Sequence, residues 1–122
     1  MGHVADHRKL LVWQEGIRLV ELVYRETSRF PSDEIFGLQS QMRRSAISIP
    51  ANIAEGAGKN TLKELLQSLG IASGSRAELD THLQIASRLG LVHPTSELFR
   101  QLDRVARLLS GLRKSLRRRA GL

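Results

Sequence analysis

Eight basic side chains crowd the last 23 residues of this 122-residue chain: Arg100, Arg104, Arg107, Arg113, Lys114, Arg117, Arg118 and Arg119. At that density, guanidinium and ammonium groups attract phosphate, because the counterions they displace from a polyanion favour the complex. Arg100, Arg104 and Arg107 recur at intervals of four and three residues, which sets them on one face of a helix. Two plainer readings stand beside this one: a solvated helix face and a solubilising tail over about 113–122. Phe99 is the only ring nearby. Bases therefore have little to stack on, and any nucleic-acid contact is expected to tolerate sequence and to weaken with salt.

The other reactive residue types form no working constellation. Glu78 and His82, four apart, could share a metal with Glu55 or Asp80, but a di-iron bundle uses two Glu-x-x-His pairs and the chain has neither. Gly70-Ile71-Ala72-Ser73-Gly74 sits within a helical pattern, away from the strand-to-helix turn that exposes a nucleophilic serine. Ala57-Gly58-Lys59-Asn60-Thr61 lacks the first glycine of a phosphate loop and a preceding strand. His3, His7 and His93 read as surface histidines. No cysteine is present, which removes disulfides and thiolate chemistry and fits a reducing cytoplasm. The expectation is a non-enzymatic protein with no metal, cofactor or evident small-molecule substrate.

Charge and hydropathy bound the class further. Residues 1–99 hold equal numbers of acidic and basic side chains, so the entire net charge of +7 resides in the last segment, where Asp103 is the only acid. No stretch approaches the ~20 apolar residues of a membrane span, and the N-terminus has no secretory pattern. One domain spanning 1–122, soluble and cytoplasmic, is the economical reading.

Four segments with helical period must position these residues. The spacing predicts helices over about 6–29, 33–57, 61–89 and 95–118, with short connections that make neighbours antiparallel: an all-α up-down four-helix bundle. In the first, Leu10, Trp13, Ile17, Val20 and Tyr24 form a seam after an Asp6 cap. Ten of the fifteen residues from Leu10 to Tyr24 are apolar, too many for one core-facing stripe. A second buried face, most simply a subunit interface, is expected. Ile35, Leu38, Met42, Ala46, Ile49 and Ile53 form the second seam. In the third helix, Thr61 and Glu64 make a capping box, and Leu62, Leu65, Leu69, Ala72, Leu79, Leu83 and Ala86 keep strict spacing, broken only by Arg76. Gly70, Ser73, Gly74 and Ala77 share a face that would admit a close neighbouring backbone. Phe99, Leu102, Ala106, Leu109, Leu112 and Leu116 form the fourth seam.

Pro50 falls inside the second helix, where it removes a donor, crowds the Ala46 carbonyl and costs about 3 kcal/mol. A kinked but continuing helix is expected, with Ser48 and Asn52 satisfying freed carbonyls and Gly56 or Gly58 as the stop. Arg43 and Arg44 lie about three turns before Glu55. They read either as a polar pocket with it or, the preferred reading, as caps and salt bridges between helices or subunits. Arg76 is expected to pair with Glu55 or Glu78, or to point into an interface, because a buried unpaired guanidinium is costly.

Ser48-Ile49-Pro50-Ala51-Asn52-Ile53-Ala54-Glu55-Gly56, followed by Ala72 to Ala86 with Glu78 at its centre, resembles the bacterial four-helix bundle proteins known as 23S rRNA intervening sequence proteins. Trp13, Arg43-Arg44 and Leu89-Gly90-Leu91 extend the likeness over roughly residues 8 to 92. The resemblance implies a homopentameric ring with no established activity. The accessory proteins of diversity-generating retroelements also look like this bundle and are associated with nucleic acid, which supports a binding role by analogy. Repeated around such a ring, the basic block would present roughly 40 cations. The sequence thus points to an RNA-binding or RNA-associated oligomeric scaffold. The alternative is a scaffold whose ring surface holds a protein partner.

Overall fold

The computed structural model describes residues 6–122; His3 lies outside them. Four α-helices carry the fold: α1 Leu11–Thr27, α2 Ser40–Ala57, α3 Leu62–Arg88 and α4 Glu97–Arg119. Each packs on its neighbours in chain order and α4 closes on α1. The result is an all-α, antiparallel four-helix bundle with no strand among the described residues. Leu19, Met42, Ile49, Leu69, Leu83 and Leu109 are almost wholly buried at its centre.

The first helix starts later than expected and turns a different face inward. Asp6 caps a separate 3-10 turn, His7–Lys9, its side chain accepting from the Arg8 amide at 3.0 Å. The buried residues of α1 are Val12, Gly16, Leu19, Leu22, Val23 and Thr27; of the expected seam, Leu10, Trp13 and Val20 pack half-buried against the core, while Ile17 and Tyr24 turn outward. Both sets recur at three to four residues, so the period identifies the helix but cannot choose its face. On the inward face the Pro50 ring packs against Gly16, with its Cβ 3.5 Å from where a Gly16 Cβ would stand. Leu11, Ile17 and Tyr24 are left 48%, 36% and 40% exposed. Ile17 and Tyr24, two turns apart, thus share an outward apolar strip, while Leu11 lies on another side of the helix beside Leu108 and Leu112.

The second helix breaks at its beginning. Ser32–Glu34 forms a 3-10 turn and Ile35–Gln39 a π-type turn with Gly37 at φ −102°, ψ −116°. There the Glu34 side chain accepts from the Leu38 amide at 3.2 Å. From Ser40 the helix runs uninterrupted through Pro50 to Ala57. It continues past the proline as expected, and the non-helical dihedrals of this segment lie at Gly37. Asn52 also differs from expectation. The carbonyl that loses its donor is that of Ala46, whereas Asn52 Nδ2 donates to the carbonyl and hydroxyl oxygens of Ser48 at 2.8 and 2.9 Å. Ser48 Oγ in turn lies 2.7 Å from Ser75 Oγ, tying α2 to α3.

The close approach of α2 to α3 occurs where Gly56 meets Ser68. A Cβ on Gly56 would stand 2.8 Å from Ser68 Cβ and 3.0 Å from Leu65 Cδ1. The expected contact at Gly70, Ser73, Gly74 and Ala77 does not form. Gly74 has open space around it, and Gly70 meets only the end of Arg113. In the first turn of α3, Thr61 Oγ1 accepts from the Glu64 amide at 3.1 Å and donates to the Glu64 carboxylate at 2.9 Å. This is half of a capping box, because the carboxylate bonds the hydroxyl and not the Thr61 amide. Gly90, at φ +76°, stops the helix, with the Leu91 amide returning to the Ala86 carbonyl at 2.9 Å. Ser96 caps α4, whose buried residues are Leu98, Gln101, Leu102, Val105, Leu109 and Leu116. The stretch read as a tail is helical through Arg119.

Candidate nucleic-acid interface

All eight basic residues of the last segment lie on α4, and neighbouring acids divide them into two groups. Glu15 of α1 is held by Gln101, whose Nε2 donates to the Glu15 carbonyl at 2.9 Å and to its carboxylate at 3.2 Å. Arg104 Nε adds a 2.8 Å ion pair to the same carboxylate, whose side chain is only 12% exposed. The hydrogen bond from Gln101, with help from Arg104, holds the Glu15 carboxyl below its ordinary pKa against the opposing effect of burial. Arg107 Nη2 pairs with Asp103 at 2.7 Å, one turn earlier on the same helix. Two of the three arginines that share the early face are therefore neutralised in place. Only Arg100 there keeps an uncompensated charge.

The free charge collects at the other end. Lys114, Arg117, Arg118 and Arg119 are exposed, and none of them makes an ion pair among the described residues. Arg117 to Arg119 occupy the last turn, where the helix dipole favours cations by about 0.3–1 kcal/mol each; that structural role leaves their outward donors unused. Arg113 is half-buried. Its Nη2 lies 3.8 Å from the point a Gly70 Cβ would occupy, and its Nε is enclosed without a partner. Arg100 and Arg118 are 18 residues apart, about 27 Å along the helix. Between them, the absence of a side chain at exposed Gly111 opens the row.

The motif residues around the proline do not form a second site. Arg43 serves α1: its Nε donates to Thr27 Oγ1 at 2.9 Å, its Nη2 to the Tyr24 carbonyl at 3.4 Å, and its guanidinium carbon stands 4.2 Å over the Tyr24 ring. Gln39 completes this cap by donating to the Thr27 carbonyl at 2.9 Å. Arg44 is exposed and lines, with Tyr24, Phe36 and Ile47, a shallow pocket of 310 Å³. Glu55 faces solvent beside Lys59 at 3.6 Å, not beside either arginine. Glu78 is exposed, and half-buried Arg76 has no ion-pair partner among the described residues. The expected pairing of Arg76 with Glu55 or Glu78 does not occur. Pro50 and Gly56 act through packing, as described above. Among the described residues, no three His, Asp or Glu side chains come together to hold a metal, and no helix is long and apolar enough to cross a membrane.

Sequence reasoning missed the partners of these residues: Glu15 and Gln101 for Arg104, Thr27 and Tyr24 for Arg43. One clue was available. Gln101 sits one residue before Leu102 and three after Leu98 on the inward arc of α4, where an uncharged polar side chain implies a buried acceptor.

A search of curated proteins found no match. The family model described as 23S rRNA-intervening sequence protein matches residues 8–111, which takes in α1, α2, α3 and most of α4 and stops before the free cations at Lys114 and Arg117 to Arg119. With most of its length covered, the chain belongs to the 23S rRNA-intervening sequence protein family.

Proposed function

We propose that this chain is a non-enzymatic, oligomeric cytoplasmic scaffold that binds RNA through the unpaired cations of α4. The observation that carries the reading is the split within the basic block. Arg104 and Arg107 are spent on Glu15 and Asp103, while Arg100, Lys114, Arg117, Arg118 and Arg119 remain free and exposed. Four of these five lie within the last six residues of α4. With Phe99 packed against the core, the contact would go to phosphate and tolerate sequence. The homopentamer implied by the family likeness would repeat the patch five times and raise affinity by avidity. The test is filter binding of structured RNA over about 50–200 mM salt. Binding at the low end, weakened when Arg113 to Arg119 are replaced by alanine or glutamine, supports the reading; no binding there, or no loss in the variant, overturns it.

A second reading is favoured by a different surface. Phe36 is 94% exposed, and beside it Tyr24, Ile35 and Ile47 are each about two-fifths exposed around the pocket next to Arg44. Exposed aromatic and aliphatic groups beside a guanidinium suit a protein contact. A pull-down that recovers one protein stoichiometrically after nuclease treatment would favour this protein-scaffold reading over RNA.

A further inference from the structure

The basic end of the bundle is wider than α4. Because the helices alternate in direction, the C-terminal end of α4 lies beside the beginning of α3 and the turn that precedes α1. Two contacts fix this: Arg113 lies against Gly70, and Leu10, Leu11 and Val12 line a cleft with Leu108 and Leu112. Lys63 lies seven residues before Gly70 on α3, about 10 Å along the axis, at the level where α4 ends. Lys9, the last residue of the 3-10 turn, immediately precedes Leu10. Both lysines are exposed and form no ion pair among the described residues. The acids at this end are engaged: Asp6 by Arg8, Glu55 by Lys59, and Glu64 by the Thr61 hydroxyl.

The cations thus come from three neighbouring elements. Packed helices lie about 8–10 Å apart, so the surface is broader than a single extended strand and suits two backbones running side by side. No aromatic platform accompanies it. The His7 and Trp13 rings pack edge to face on each other at 5.3 Å, and Trp13 also rests on the core. The exposed Tyr24 and Phe36 lie at the opposite end, where α1 stops and α2 begins. Single strands are gripped by stacking in a basic groove, duplex RNA by shape and phosphate contact.

We propose that this end of the bundle takes the two sugar–phosphate backbones of an RNA double helix, with Lys9 and Lys63 completing the surface that Lys114, Arg117 and Arg118 begin. The proposal rests on the RNA-binding reading above and goes further in naming the form of the RNA and two residues outside α4. The test is fluorescence anisotropy of the full chain with an RNA duplex of about 20 base pairs and with one of its strands alone. The wild type and the double variant Lys9→Glu, Lys63→Glu are compared over a salt series. Both lysines are exposed, and an acid in the first turn of α3 suits the helix dipole. A thermal melt by circular dichroism confirms that the variant is folded. The expected result is duplex binding about tenfold tighter than strand binding, weakened at least tenfold in the variant with a shallower salt slope. A strand bound as tightly as the duplex, or a folded variant that binds duplex like the wild type, overturns the inference while leaving RNA binding in place. Binding to neither RNA overturns both.

Discussion

At the scale of single residues, Glu15 is a tightly held charge, bonded by Gln101 and Arg104 and largely covered. Its folded pKa lies below the ordinary 4.5. The stability it contributes is therefore complete above that value and lost as pH falls through the lower folded one. Replacing Glu15→Gln should flatten the dependence of Tm on pH below about 4.5 and cost about 1 kcal/mol at neutral pH, measured by thermal melts across pH. Two glycines should respond in opposite ways. Gly56→Ala places a methyl 2.8 Å from Ser68 Cβ and should destabilise by about 1–3 kcal/mol. Gly74→Ala enters open space and should stabilise by up to about 1 kcal/mol through helix propensity alone. Urea unfolding of the two variants checks both signs. In the sequence these glycines look alike, one near a helix end and one within a small-residue face. Only the position of Ser68 across the α2 and α3 contact tells them apart.

At the scale of the elements, what was legible followed from local chemistry, and what was not depended on neighbours. The four helices, the Thr61 and Ser96 caps and the stop at Gly90 are each encoded within a few residues. The inward face of α1 is not, because two apolar sets share one period and the choice falls to packing against the other helices, where Gly16 meets Pro50. Likewise, Arg43 and Glu55 look like members of one polar cluster in sequence, yet Arg43 is drawn to the end of α1 and Glu55 to Lys59. Arg43→Ala should remove the bond to Thr27, the contact with the Tyr24 carbonyl and the cover over the Tyr24 ring, lowering stability by about 1–2 kcal/mol. Arg43→Lys should recover only part of that loss, because an ammonium lacks the planar fork that serves several partners at once. Chemical denaturation of the pair reads the difference. Within α4, the period placed the cations on the helix, but their pairing with Glu15 required knowing which helix lies alongside.

At the scale of the whole molecule, the bundle has two unlike ends and an apolar flank. One end carries Lys9, Lys63, Lys114 and Arg117 to Arg119, exposed and without ion pairs among the described residues. The other exposes Tyr24, Ile35, Phe36 and Ile47 around a pocket. The exposed Ile17 and Tyr24 of α1 fit association between copies; light scattering should give the mass of an oligomer, and a monomer would remove that part of the proposal. Salt slopes distinguish RNA binding by the unpaired cations from binding by the basic block as a whole. The slope of log Kobs against log salt on a structured RNA is compared for wild type, for Arg104→Ala with Arg107→Ala, and for Arg117→Ala with Arg118→Ala and Arg119→Ala. Each lost phosphate contact flattens the slope by about 1. The triple variant should flatten it by about 2–3, and the ion-paired double variant by much less than 1. Equal flattening per arginine in the two variants, or a wild-type slope near zero, would contradict the account.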